Sequence, residues 1–163
     1  MIPSKFSYWA VMPITISLIL FLVLIVTTIV YSESLTANSN LPFLLMAFVF
    51  IFFILWLVVG ELRTKAVKII IESDRITAIN FFGLGVSKTF HFSELEGFKI
   101  SMVPAEYRDY EYLYLMLDKQ KAIKLSEFYH ENYFELKKII AQKCKHLGTE
   151  KFNFWREIRE IFK

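Results

Sequence analysis

The chain has 163 residues, 55% of them hydrophobic, with a mean hydropathy of +0.43 and a formal net charge of +3. Basic and acidic residues are interspersed, which excludes a dedicated nucleic-acid surface. A single cysteine, Cys144, excludes an intramolecular disulfide and suits a reducing compartment.

The apolar excess is concentrated in residues 1–60, where Lys5 is the only Lys or Arg. No charged residue falls in 8–31 or in 41–60. A helix crosses the hydrocarbon core with roughly 20 apolar residues, so both runs are long enough, and 1–60 is predicted to be a transmembrane helical hairpin. Leu, Ile, Phe and Val dominate 11–30, and insertion of that run is worth roughly 4 to 8 kcal/mol. Pro13 and Pro42 sit near helix starts, where a missing N–H costs little, and Asn40 is placed to cap the second helix. Tyr8, Trp9 and Tyr31 bracket the first helix and Trp56 lies near the end of the second, as an interfacial aromatic belt would. Thr15, Ser17, Thr27 and Thr28 are expected to bond back to their own helix. Neither span carries an ionisable residue that would mark an ion path.

The first run is too long for a signal-peptide core and lacks a small-x-small cleavage site, so a retained helix is expected. The 32–40 loop carries only Glu33, whereas Lys5, Arg63, Lys65 and Lys68 flank the other ends. That asymmetry predicts a multi-pass protein of the cell inner (plasma) membrane with both termini cytoplasmic.

Residues 61–148 change character and form the predicted cytoplasmic domain. Short β-branched or alternating runs at 65–72, 75–82, 86–92, 98–102, 110–117 and 122–125 are separated by turns. They read as an antiparallel up-and-down sheet. In 110–117, Leu113, Leu115 and Leu117 are assigned to the core, and Tyr112, Tyr114 and Met116 to the outer face. The period then becomes helical. Asn132 and Glu135 have capping-box spacing. Tyr133, Leu136, Ile140, Cys144 and Leu147 make an apolar stripe that Gly148 would end. Residues 149–163 form an amphipathic C-terminal helix, expected to pack on the domain through Trp155.

The phrases ESDRITAINFFG, TFHFSELEGF and YLYLMLDKQKAIKLSEFYHENYFELKKII, behind a membrane hairpin, resemble the small bacterial PH-like membrane proteins. The resemblance spans most of 61–147. It implies an α+β domain, a curved barrel-like antiparallel sheet capped at one open end by a helix, and it implies no catalytic residues.

Other chemistries find little support. His91, His130 and His146 are dispersed, Cys144-x-His146 is not a zinc spacing, GxSxG is absent, and FFGLG reads as a turn rather than a dinucleotide fingerprint. The turn at 73–75 sets one Arg beside two acids, Glu72 and Asp74, a poor phosphate site. What remains is a candidate interaction surface of Tyr112, Tyr114, Lys121, Lys124 and Trp155. The expectation is a non-enzymatic interaction or scaffold module at the membrane, without a cofactor. Its expected partners are the lipid bilayer and a protein partner or second copy, not nucleic acid. A small regulatory subunit of a larger membrane complex is the alternative, and a lipid-acting enzyme or headgroup binder the third reading.

Overall fold

A computed structural model describes residues 1–32 and 40–161. The expected 32–40 loop falls mostly outside the described residues. After a short 3-10 turn at Tyr8–Val11, helix α1 runs over Met12–Ser32. Helix α2, Asn40–Leu55, continues through a π-helical segment, Trp56–Leu62, into a last turn α3, Arg63–Lys65. The continuous helices over Tyr8–Tyr31 and Leu41–Lys65 are long and apolar enough to cross a membrane, and few of their side chains are buried. The hydroxyls of Thr15, Ser17, Thr27 and Thr28 donate to carbonyls one turn back, at Val11, Pro13, Val23 and Leu24. Buried in hydrocarbon, a hydroxyl left unpaired would be costly.

Two four-stranded sheets follow. The first, in order β1-β2-β3-β4, is antiparallel: β1 (Ile2–Pro3), β2 (Lys68–Ile71), β3 (Arg75–Ile79) and β4 (Ser87–His91). The second, in order β7-β6-β5-β8, holds β5 (Gly97–Val103), β6 (Tyr110–Leu117), β7 (Gln120–Ser126) and β8 (His146–Lys151), with β8 parallel to β5. Helix α4, Tyr133–Lys143, carries the chain from β7 to β8, and α5, Phe154–Ile161, follows β8. Ile69, Ile76, Leu113, Leu115, Leu125 and Leu136 form the main core, where the inner faces of both sheets meet α4.

Four expectations need correction. The strands do not close into one barrel-like meander. The chain turns through Phe92–Glu94 after β4, and β5 pairs with β6 and β8 rather than with β4. The second strand stops at Ile79, because Phe81 and Phe82 take left-handed backbone angles (φ 50° and 58°). Phe82 packs edge-on against Phe6 with ring centroids 4.7 Å apart. The helix ends at Lys143 rather than at 147, and Cys144 is already extended. The reason is the open edge of β5, which takes residues 146–151 as a strand. Gly97 permits that closure, because at φ +147° a Cβ there would lie 2.2 Å from the Lys145 carbonyl oxygen. Asn132 does not cap α4 through its side chain. Its Oδ1 accepts from Lys5 N at 2.7 Å and its Nδ2 donates to Pro3 O at 3.1 Å.

Those last bonds belong to a weld between the first residues and the β domain. Ser4 N donates to Ile69 O (2.7 Å), Ile69 N donates to Ser4 Oγ (2.9 Å), and Ser7 N donates to Tyr129 O (2.9 Å). Ala10 from the start of the hairpin and Leu62 and Ala66 from its end bury together with Tyr129 in a second, small core. Both ends of the hairpin are thus built into one β domain.

His130 sits inside this weld, fully buried. Its Nδ1 lies 2.9 Å from Ser126 O and its Nε2 2.8 Å from Val67 O. Burial holds its pKa below the ordinary histidine value of 6.5, and the two carbonyls offset only part of that. The unfolded chain therefore takes up the proton first. The stability His130 confers is complete above pH 6.5 and is lost progressively as pH falls below it. Thermal melts between neutral and mildly acidic pH should show this slope, and a His130→Gln variant should flatten it.

Candidate functional site

The candidate surface lies on the outer face of β6 and β7. Lys121 and Lys124 are three residues apart, and in a regular strand they would point to opposite faces. The pairing shifts register here: Leu115 faces Ile123 while Met116 faces Lys121. The extra residue is a bulge that brings both lysines to one side. Lys121 Nζ then sits 3.7 Å above the Tyr114 ring centroid and Lys124 Nζ 4.1 Å above that of Tyr112, both within cation–π range.

From α5, Glu157 enters the same spot. Its carboxylate accepts from the Tyr114 hydroxyl at 2.6 Å, pairs closely with Lys124, and lies 3.4 Å from Lys121. Lys121 also faces Glu150 of β8 at 3.7 Å. On the hairpin side, Lys65 pairs with Glu61 at 2.7 Å, and the Tyr129 hydroxyl donates to Glu61 at 3.1 Å. A cavity of about 120 Å³ opens between these groups, walled by Trp56, Lys65, Tyr112, Phe152, Phe154 and Ile158.

The electrostatics follow from burial and pairing. Burial alone would raise the Glu157 pKa, but Lys124, the Tyr114 hydroxyl and Lys121 outweigh it and hold the carboxyl below its usual value. Burial raises the Tyr112 phenol, and burial with Glu61 nearby raises that of Tyr129, so both stay neutral at physiological pH. Lys65, Lys121 and Lys124 stand against Glu61, Glu150 and Glu157, a balanced set that ties the end of the hairpin, the second sheet and α5 together.

Two of the expected surface residues are not on the surface. Tyr112 is 6% exposed and Tyr114 1%. Leu147 and Phe152 cover that face together with α5, so β6 is buried on both sides. Lys121 and Lys124 are placed beside the tyrosines as expected, but both are largely covered. Trp155 does not rest on the domain. It is 70% exposed, because α5 is held through Glu157 and Ile158 instead.

The acidic half of the cluster, Glu61, Glu150 and Glu157, went unrecognised in the sequence. No sequence signal pointed to it, because Lys121 and Lys124 share a face only through the bulge between them.

Elsewhere, Arg75 is engaged by Glu72, and Asp74 lies 3.5 Å from His91, so the 73–75 turn is a solvated set of paired charges. Cys144 is buried, and burial pushes its thiol pKa up. Among the described residues, no group of three or more His, Cys, Asp or Glu is placed to hold a metal ion. No protein-family model, no curated protein and no solved structure matches the chain.

Proposed function

We propose that the chain is a membrane-anchored interaction or scaffold protein that acts by binding rather than catalysis and holds a PH-like β domain in a fixed pose at the bilayer. The observation that carries this is the weld. The segment before α1 is a strand of the domain's first sheet, and the segment after α3 is the next strand of that sheet. A flexible tether would let a domain search. Two anchors from the same hairpin hold its faces at set heights above the membrane. The PH-like assignment is supported by an antiparallel run of strands, a second sheet and a helix that covers the core.

A photoreactive side chain in place of Lys88, on the exposed edge strand β4, and another in place of Lys138, on the outer side of α4, would test the reading in native membranes. A discrete, saturable protein adduct from one position and not the other supports a binding face. Equal diffuse labelling at both, or none at either, would overturn it.

The charge asymmetry across the hairpin supports a location in the cell's inner membrane with both termini cytoplasmic. A cysteine in place of Ser34 should react with an impermeant thiol reagent added outside intact cells, and one in place of Lys119 should not. The reverse pattern would refute the orientation.

A second reading, a subunit whose hairpin docks in a larger membrane complex, is favoured by an apolar groove along α1 lined by Ile19, Leu22, Val23, Val26 and Thr27. Adducts from Leu22 rather than from the β domain would select it.

A further inference from the structure

The strands run alternately toward and away from the hairpin, so the connections of the β domain divide between two ends. At the hairpin end, Phe82 N donates to Ala66 O at 2.7 Å, just past α3, which places the β3–β4 turn there. The β5–β6 loop ends at Tyr110, whose ring meets Phe128 at 5.3 Å, and Phe128 meets Trp9 at 6.5 Å. Phe154 of α5 shares a cavity with Trp56. At the opposite end, Phe92 N donates to Asp74 O, Lys143 Nζ to Ser73 O, and Lys119 N to Glu96, so those turns gather together.

The two ends differ in exposed apolar side chains rather than in charge, since the β5–β6 loop at the hairpin end also carries Glu106, Arg108 and Asp109. The far turns carry Ser73, Asp74, Arg75, Glu94, Asp118 and Lys119. Polar residues of this kind are what solvated turns require. The hairpin-end segments instead expose large apolar side chains: Leu84 (91%), Val86, Tyr107 (93%), Phe154 (59%) and Trp155. They come from three separate segments. The β3–β4 turn lies against both ends of the hairpin, through Phe6 before α1 and Ala66 after α3, and α5 lies next to Trp56. Apolar residues exposed on separate turns, all at one end of a domain, mark a contact surface rather than scattered exposure.

Resting on the reading of the hairpin as membrane-spanning, we infer that Leu84, Val86, Tyr107, Phe154 and Trp155 form a rim that seats the β domain in the headgroup layer of the bilayer its own hairpin crosses. The bilayer is the occupant because this rim is continuous with the hairpin's own interfacial aromatics. Trp9 and Trp56 reach into the same layer of contacts, so wherever they meet the membrane surface the rim meets it too. Helix α5 has the form such a site uses. Phe154 and Trp155 are exposed on one side, and Glu157 and Ile158 hold the helix to the domain from another. Amphipathic tyrosine and tryptophan suit the boundary between headgroups and acyl chains. Seated this way, the domain turns its polar far turns to the aqueous phase.

Single-tryptophan forms of the full-length chain in phosphatidylcholine vesicles would test this. Trp9 and Trp56 are replaced by Phe, which leaves Trp155. In parallel forms Trp155 is also replaced, and the reporter comes from Leu84→Trp, from Ser93→Trp at the far end, or from Phe48→Trp within α2. The vesicle lipid carries bromine either near the headgroup end or near the tail end of its acyl chains. Trp155 and the Leu84→Trp reporter should show roughly twofold quenching, stronger from headgroup-end bromine. The Ser93→Trp reporter should show none, and the Phe48→Trp reporter should respond most to tail-end bromine. If Phe48→Trp is quenched while Trp155 and Leu84→Trp behave like Ser93→Trp, the rim does not touch lipid, and the inference falls while the hairpin stands. A blue-shifted but unquenched Trp155 would mean that protein covers it, a partner or a second copy, and would equally overturn the inference. If Phe48→Trp is itself unquenched, the spanning hairpin fails and the rim with it.

Discussion

Tyr114→Ala is expected to destabilise the β domain by about 3–5 kcal/mol, at least as much as Leu115→Ala at about 2–5 kcal/mol. The two residues are neighbours on β6 and point to opposite faces, and each is essentially unexposed. Leu115 fills the core between the sheets and α4, and its loss leaves a cavity there. Tyr114 fills the second face, beneath Lys121 and α5, and its truncation also strips a donor from Glu157. Tyr114→Phe should isolate that hydroxyl, at about 1.5–3 kcal/mol for a hydrogen bond to a charged group. Urea unfolding of the full chain in detergent, with amide exchange followed along β6, would measure all three. A loss at Tyr114 well below that at Leu115 would mean that the second face is not covered.

Glu157→Ala should release α5. It leaves Lys124 without its closest carboxylate in a largely desolvated site, and removing one partner of such a pair costs about 3–5 kcal/mol. The effect should be local, because few other described groups of α5 are buried. Amide exchange should rise in α5 and around Phe152 while β2 and β3 stay protected. The same contact predicts an acid limit. The folded pKa of Glu157 lies below its ordinary value of 4.5, so its contribution is fully present above that pH and is lost as pH falls through the folded value. Helix α5 should therefore stay docked at neutral pH and loosen in acid. In Glu157→Ala the exchange of α5 should be high at every pH. Unchanged exchange in the variant would show that apolar packing, not this carboxylate, holds the helix.

The weld at the hairpin and the Glu157 cluster together leave the β domain little freedom relative to the two apolar helices. Four separate segments converge on the end of the hairpin: β1 and its following residues, the β3–β4 turn, the Phe128–Asn132 stretch and α5. Cutting any one should loosen its neighbours, because they share partners such as Glu61, Tyr129 and Asn132.

The parts legible in the sequence were those set by local periodicity or by sheer apolar length. Two uncharged runs, each long and apolar enough to cross a membrane, are legible as helices because length and composition lie within the run itself. The Thr and Ser hydroxyls of α1 bond to their own helix because the carbonyl one turn back lies within reach. Alternation in 110–117 located β6 and correctly assigned Leu113 and Leu115 to the core. Alternation states which residues share a face, however, and not how many faces are covered. Tyr112, Tyr114 and Met116 look like an outer face until β8 and α5 arrive from more than thirty residues away.

What only the tertiary structure decided were the pairings between distant segments. Ile2–Pro3 is too short to show any period, and it is a strand because β2 offers an edge to it. Residues 144–147 continue a helical stripe in the sequence, and they leave the helix because the edge of β5 is worth more as a parallel pairing with β8. Glu157 reads as one more charge on a polar helix face, and it becomes the centre of a buried cluster because a bulge at Ala122 aims two lysines at it. Each is a long-range hydrogen bond or ion pair whose partner cannot be identified from neighbouring residues, whereas hydrophobic length and period are carried by the neighbours themselves.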